Sequence, residues 1–262
     1  MIQVKDLVKT YKDFHAVDHL SFEVEEGKIF GFLGPNGAGK TTTIKMLTTT
    51  LKPTSGTILL GGHDPVQSPL QVRRTFGIVF QDPSLDVDLT ADENMELHAV
   101  LYGVPAIERK AKIEKFLRFV DLWDRRASLA KTFSGGMKRR LEIARALLHT
   151  PKILFLDEPT LGLDPQTRNH IWGYIQTLVK EQKMTVFFTT HYMDEADRVA
   201  DEIAVIDQGK IVARGSPSQI KESTKATTLE EAFISLTGRE IRDEEASAQD
   251  RMRAVGKVWG KR

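Results

Sequence analysis

The sequence predicts an α/β fold built around a largely parallel sheet. Three observations predict it: short apolar runs alternate with longer helical patterns, a glycine-rich loop sits between one such run and a helix, and two adjacent acids close another run. The runs fall at 29–33, 77–80, 153–156, 185–188 and 203–206. They are apolar without alternation, the pattern of strands covered on both faces. The opening segment and residues 57–60 instead suggest antiparallel ribbon, so the sheet content is expected to be mixed.

Between the second and third runs, helical signals replace strand signals. Thr90 and Glu93 make a capping box, and Gly103 with Pro105 stops the helix that it starts. Residues 86–150 are therefore expected to form a helical subdomain within a domain spanning 1–215. Beyond it, Ser216-Pro217 opens a helix, and a second capping box at Thr228 and Glu231 opens another. Leu229, Ala232, Phe233 and Leu236 share one face of that last helix. Mixed charge then dominates, so 216–262 reads as a helical appendage ending in a weakly ordered charged tail.

Composition narrows the function classes. The chain has 262 residues, 40% of them hydrophobic and 28% charged, which suits one large globular domain. Its 37 basic and 36 acidic residues leave a formal net charge of +1, so no general attraction to nucleic acid or anionic lipid is expected. Cysteine is absent, which excludes disulfides and thiolate zinc sites and agrees with a reducing compartment. The N-terminus lacks a secretory pattern, and no apolar run approaches the roughly 18 residues of a membrane span. The expected location is cytoplasmic.

The glycine-rich loop reads Gly34-Pro35-Asn36-Gly37-Ala38-Gly39-Lys40-Thr41-Thr42, which satisfies Gly, four residues, then Gly-Lys-Thr. Small residues let backbone N–H groups turn toward a phosphate. Lys40 adds a compact positive charge, and the Thr41 hydroxyl can ligate Mg²⁺. Phe133-Ser134-Gly135-Gly136-Met137 precedes a helix whose Leu141, Ala144, Leu147 and Leu148 form an apolar stripe; Ser134 also suits the helix N-cap. The run 153–156 ends in Asp157-Glu158-Pro159, which places two carboxylates at the strand edge where α/β proteins bind ligands.

Together these motifs resemble the ABC ATPases: a Walker A loop over 34–42, a signature over 133–137 and a Walker B strand over 153–158, in that order. The resemblance covers about residues 1–214. It implies an α/β P-loop NTPase of ABC type, with a mixed sheet core, an antiparallel ribbon and a helical subdomain. It also implies ATP and Mg²⁺ as ligands. Tyr11, 23 residues before Gly34, is similar to the aromatic that stacks on adenine, although a lone tyrosine also suits a core position. Gln81 resembles the glutamine that touches Mg²⁺ and the attacking water, and His191 the histidine that contacts the γ-phosphate. Asp157 would hold the metal through water beside Thr41, and Glu158 would polarise the attacking water.

In that family the ATP site closes between two subunits. The resemblance thus implies a head-to-tail homodimer or heterodimer in which Ser134, Gly135, Gly136 and Asp164 act across the interface. Asp164-Pro165 also suits a helix start. A separate transmembrane permease is the implied partner, with residues 82–102 receiving it on the cytoplasmic face of the membrane. Two departures stand out: the signature usually reads Leu-Ser-Gly-Gly-Gln, where this chain has Phe133 and Met137, and Leu161 occupies a position often small or polar.

Residues 81–90, Met137 and the segment 228–238 resemble the drug-resistance-type ABC-2 exporters. The rival readings are an ABC ATPase working outside transport, a non-enzymatic nucleotide switch and an ATP-driven importer. A second ATPase domain, a long coiled coil or a basic patch would favour the first, and none is visible. Retention of Glu158 and His191 opposes the second.

Overall fold

A computed structural model describes residues 1–238; the charged tail expected at 239–262 lies outside the described residues. Two sheets organise the fold. The smaller has the order β2-β1-β4 and is antiparallel, from β1 (Ile2–Tyr11), β2 (Phe14–Val24) and β4 (Ser55–Leu60). The larger has the order β5-β6-β7-β3-β8-β9. Its strands are β3 (Ile29–Leu33), β5 (Phe76–Val79), β6 (Ile153–Asp157), β7 (Thr185–Thr189), β8 (Glu202–Asp207) and β9 (Lys210–Gly215). All its pairings are parallel except β8 with β9.

Every residue of β3, β6 and β7 is buried, as their unbroken apolar runs require. The strand expected at 77–80 starts one residue earlier and ends at Val79, leaving Phe80 exposed. The register explains the shift: Phe76 and Val79 pair with Ile153 and Leu156, which carries the ladder to Val79 and no further. Strand β9 and the short helix α2 (Pro69–Thr75) were not anticipated from the sequence.

The two sheets meet through phenylalanines. Phe22 of β2 lies 5.7 Å from Phe30 and 6.1 Å from Phe187, ring centre to ring centre, and Phe30 lies 5.5 Å from Phe187. Such pairs add about 0.5–1.5 kcal/mol each beyond their buried area. Helix α1 (Lys40–Leu47) buries Ile44, Met46 and Leu47 in the same cluster, which fixes the direction of the loop preceding it.

A second apolar cluster lies under α3 (Ala91–Leu101), α4 (Ala106–Phe119), α5 (Gly135–Ala146) and α6 (Pro165–Gln182), and continues to α7 (Met193–Val199). The Thr90–Glu93 capping box is present: Glu93 N donates to Thr90 Oγ1 at 3.2 Å, and Thr90 N donates to Glu93 Oε2 at 2.7 Å. Gly103 follows α3 at φ 68°, a left-handed turn that suits glycine. Helices α8 (Pro217–Thr224) and α9 (Leu229–Thr237) both begin with capping boxes, at Ser216 and Thr228. Leu229, Ala232 and Phe233 are buried in the α5–α7 cluster, with Leu236 packed against it.

Candidate active site

The loop 34–39 follows the C-terminal end of β3 and both starts and ends at a position that only glycine fits. A Cβ on Gly34 would stand 2.3 Å from the Ile206 carbonyl oxygen of β8, and one on Gly39 would stand 2.4 Å from the Ala16 carbonyl oxygen. Gly39 also has φ 109°, a conformation that side-chain-bearing residues avoid. Lys40, the first residue of α1, is buried, and its Nζ reaches back over the loop to the carbonyls of Gly34 at 2.6 Å and Pro35 at 3.3 Å. An ammonium thus spans a ring of backbone at a helix N-terminus, where the helix dipole favours an anion.

Asp157 ends β6 and Glu158 turns away from it at φ 48°, a left-handed conformation uncommon outside glycine and asparagine. Thr189, the neighbour of Asp157 on β7, anchors this corner from two sides: its Oγ1 donates to Asp157 Oδ1 at 2.6 Å, and its carbonyl accepts from Glu158 N at 3.2 Å. Burial pushes the Asp157 carboxyl above its usual range; the Thr189 hydrogen bond opposes this, the neighbouring Glu158 adds to it, and Lys40 and Arg139 pull it back. His191 lies beyond the end of β7. Its Nδ1 is 3.0 Å from Glu158 Oε2, and its backbone N donates to the same oxygen at 3.3 Å. With Glu158 ionised, only a protonated Nδ1 makes that contact favourable.

One cleft gathers most of the residues expected to bind ATP. Its walls include Tyr11, Pro35, Asn36, Gly37, Gly39, Lys40, Thr41, Thr42, Gln81, Asp157 and Glu158. Tyr11 is exposed at the cleft mouth rather than in the core. Phe14, its cross-strand partner in the β1–β2 hairpin, is also exposed and lines the same cleft. The sequence reading missed Phe14, although an aromatic on each side of a two-residue turn is a local signal. His191 reaches the site through Glu158.

Ser134, Gly135, Gly136 and Asp164 gather elsewhere, outside the cleft walls. Ser134 caps α5, its Oγ accepting from Met137 N at 3.3 Å. Asp164 caps α6, accepting from Thr167 N at 3.0 Å and Thr167 Oγ1 at 2.6 Å. A Cβ on Gly136 would meet Thr167 Cγ2 at 2.7 Å, and one on Gly135 would lie 3.6 Å from Leu163. The two helix starts therefore form one surface, and both capping roles coexist with the exposed glycine backbone.

Arg139 of α5, also missed from sequence, joins this surface to the cleft. Its guanidinium is buried and donates to the carbonyls of Asp157 at 3.1 Å, Glu158 at 2.6 Å and Pro159 at 2.7 Å, and to that of Phe80 just before Gln81. Glu142 pairs with it at 3.2 Å and accepts from Ser84 N at 2.7 Å. Burial lowers the Arg139 pKa, and Glu142 opposes that shift.

The family model described as ABC transporter matches residues 17–161. The chain is 44% identical to the daunorubicin/doxorubicin resistance ATP-binding protein DrrA of Streptomyces peucetius, over 87% of this chain and 69% of that protein. It is 40% identical to the Nod factor export ATP-binding protein I of Cupriavidus metallidurans, over 89% of this chain and 77% of that protein. Among solved structures, a dimeric ATP-binding cassette in a post-hydrolysis state, bound to ADP and Pi, superposes with a TM-score of 0.75 at 29% identity, covering 82% of this chain and 98% of that one.

Proposed function

The chain belongs to the ABC transporter ATP-binding family, among its drug-resistance-type exporter ATPases, and we propose that two such subunits close head-to-tail around ATP and Mg²⁺ to drive a separate membrane-embedded exporter. It is an ATPase. The observation that carries the dimer is the division of the site: the residues at Ser134–Gly136 and Asp164 group together and line no part of the Lys40 cleft. Closure against a second subunit brings one subunit's cleft under the other's signature. The relative solved as a dimer with ADP and Pi supports that reading.

Within the cleft, Tyr11 and Phe14 hold the adenine ring. The loop N–H groups and Lys40 neutralise the phosphates, with Lys40 exchanging the Gly34 and Pro35 carbonyls for phosphate oxygens. Thr41, Gln81 and Asp157 offer hard oxygen donors on one cleft, a set that fits Mg²⁺ shared with phosphate oxygens; the metal would supply charge neutralisation. Glu158 polarises a water that attacks the γ-phosphorus. The bond to the β–γ bridging oxygen breaks, and ADP and inorganic phosphate leave. His191, fixed to Glu158 at 3.0 Å, orients that carboxylate and presents its ring to the γ-phosphate. Ser134, Gly135, Gly136 and Asp164 complete the site in trans. Met137 N is occupied by the Ser134 cap, so loss of the usual glutamine leaves the backbone contacts in place.

Among the described residues no helix is long and apolar enough to cross a membrane. In this proposal a separate permease supplies the spans and holds this subunit at the cytoplasmic face. Residues 82–102 receive it, a segment in which Val87, Leu97, Val100 and Leu101 are exposed apolar side chains. That segment follows Gln81 directly in the chain, so docking and hydrolysis share one stretch of sequence.

Light scattering tests the proposal. Glu158→Gln should be monomeric alone and dimeric with ATP and Mg²⁺, while wild type hydrolyses ATP and returns to monomer. A mutant that binds ATP yet stays monomeric even with its permease overturns the sandwich and favours a nucleotide switch.

A further inference from the structure

We propose that Arg168 is a positioning residue that couples the segment 161–164 to His191, so that contact with the second subunit sets the register of the hydrolytic pair. The inference rests on the head-to-tail reading above and adds a link within each subunit.

Arg168 lies in the first turn of α6, and one guanidinium meets three residues, one in the segment 161–164 and two at the start of α7. Its Nε donates to the Leu163 carbonyl at 2.8 Å. Its central carbon stands 3.8 Å from the centre of the Tyr192 ring. Its Nη1 is 3.9 Å from Glu195 Oε1, a buried oxygen with no hydrogen-bond partner. The other carboxylate oxygen of Glu195 accepts from Thr160 Oγ1 at 2.6 Å and Trp172 Nε1 at 3.0 Å. Thr160 follows Glu158 by two residues, and Glu195 stands in α7 four residues past His191.

The connection to the chemistry is short. The Tyr192 ring lies 4.2 Å from the His191 ring, and His191 contacts Glu158. From Leu163 the sequence of contacts is therefore Arg168, Tyr192, His191 and Glu158, each a direct one. The carbonyl of Leu163 immediately precedes Asp164, the residue proposed to reach the other subunit. A shift of that segment changes the anchor of Arg168 Nε, and the flat guanidinium moves on the Tyr192 face. Lysine cannot replace it, because an ammonium has neither the planar stacking surface nor a fork that bonds one partner while covering another. Glu195, tied to Thr160 and Trp172, is the fixed point against which Arg168 moves.

The test combines turnover, binding and coupling, using the ATPase with its permease. Arg168→Ala should bind ATP within about twofold of wild type, because the guanidinium touches none of the cleft walls, and should lose about tenfold in kcat with little change in KM. Arg168→Lys should lose as much, Tyr192→Phe should keep wild-type turnover, and Tyr192→Ala should match Arg168→Ala. The double variant Arg168→Ala/Tyr192→Ala should be no slower than either single one, since both break the same link. Wild-type kcat in Arg168→Ala, full activity in Arg168→Lys, or losses that multiply in the double variant would overturn the role. If Arg168→Ala does not fold, Arg168→Lys and the Tyr192 pair decide. ATP-driven dimerisation of Glu158→Gln, measured alongside, separates the two readings: dimerisation with unaltered Arg168→Ala turnover removes the Arg168 link alone, whereas its absence removes both.

Discussion

Replacing Arg139 should damage the fold and the site together, and the structure sets the size of the loss. In Arg139→Ala, Glu142 keeps only its Ser84 contacts, and the carbonyls of Asp157, Glu158, Pro159 and Phe80 lose their common donor. Glu142 is 2% exposed, so it cannot recover hydration without local opening. Breaking a buried pair of this kind costs about 3–5 kcal/mol. At about 2–4 °C per kcal/mol for a chain of this size, Tm should fall by about 6–20 °C. Urea denaturation of wild type, Arg139→Ala, Glu142→Ala and the double variant measures it. The double variant should cost less than the sum of the singles by about 1 kcal/mol or more, because no charge is left stranded. A loss below about 1 kcal/mol for Arg139→Ala, or losses that simply add, would refute the reasoning.

Tyr11→Ala should weaken ATP binding by about 1–3 kcal/mol, the range for ring stacking on a base, while Tyr11→Phe stays near wild type; calorimetric titration distinguishes them. Asp157→Asn should abolish Mg²⁺-dependent hydrolysis yet raise the Tm of the nucleotide-free protein at neutral pH. The sign follows from the raised pKa: the fold favours the neutral carboxyl, so the penalty is absent at low pH, grows as pH rises through the ordinary carboxylate range, and is full above the raised value. Melting curves across pH should show the gain vanish on acidification. Gly34→Ala should lose both stability and ATP affinity, because its Cβ would stand 2.3 Å from the Ile206 carbonyl oxygen; a variant with wild-type Tm and binding would contradict that close approach.

The phosphate loop, the acid pair and the capping residues were legible because each is a local device, complete within a few residues. Ser134, Asp164, Ser216 and Thr228 all cap helices as their neighbours dictate. The buried strands were legible for a different reason: a strand covered on both faces has no polar positions to interrupt it. Strand β9 was missed although Gln208 and Gly209 both have positive φ, the requirement of a tight hairpin turn, and alternation follows them. Arg139 could not be singled out. It sits in the run Lys138-Arg139-Arg140, and only the approach of Phe80, Pro159 and Glu142 from distant parts of the chain decides which cation is buried. Arg168 was hidden likewise, since Tyr192 and Glu195 reach it only through the packing of α6 against α7.

The head-to-tail site is the central claim, and a cross-link between two different chains tests it most directly. The protein contains no cysteine, so introduced thiols are unique. Glu158→Gln chains carrying Asn36→Cys are mixed with Glu158→Gln chains carrying Ser134→Cys and treated with a short bismaleimide. The account predicts a covalent dimer that requires ATP and both cysteine variants, with neither variant cross-linking to itself. Cross-linking of either variant with itself, or none in the ATP-bound mixture, would contradict it.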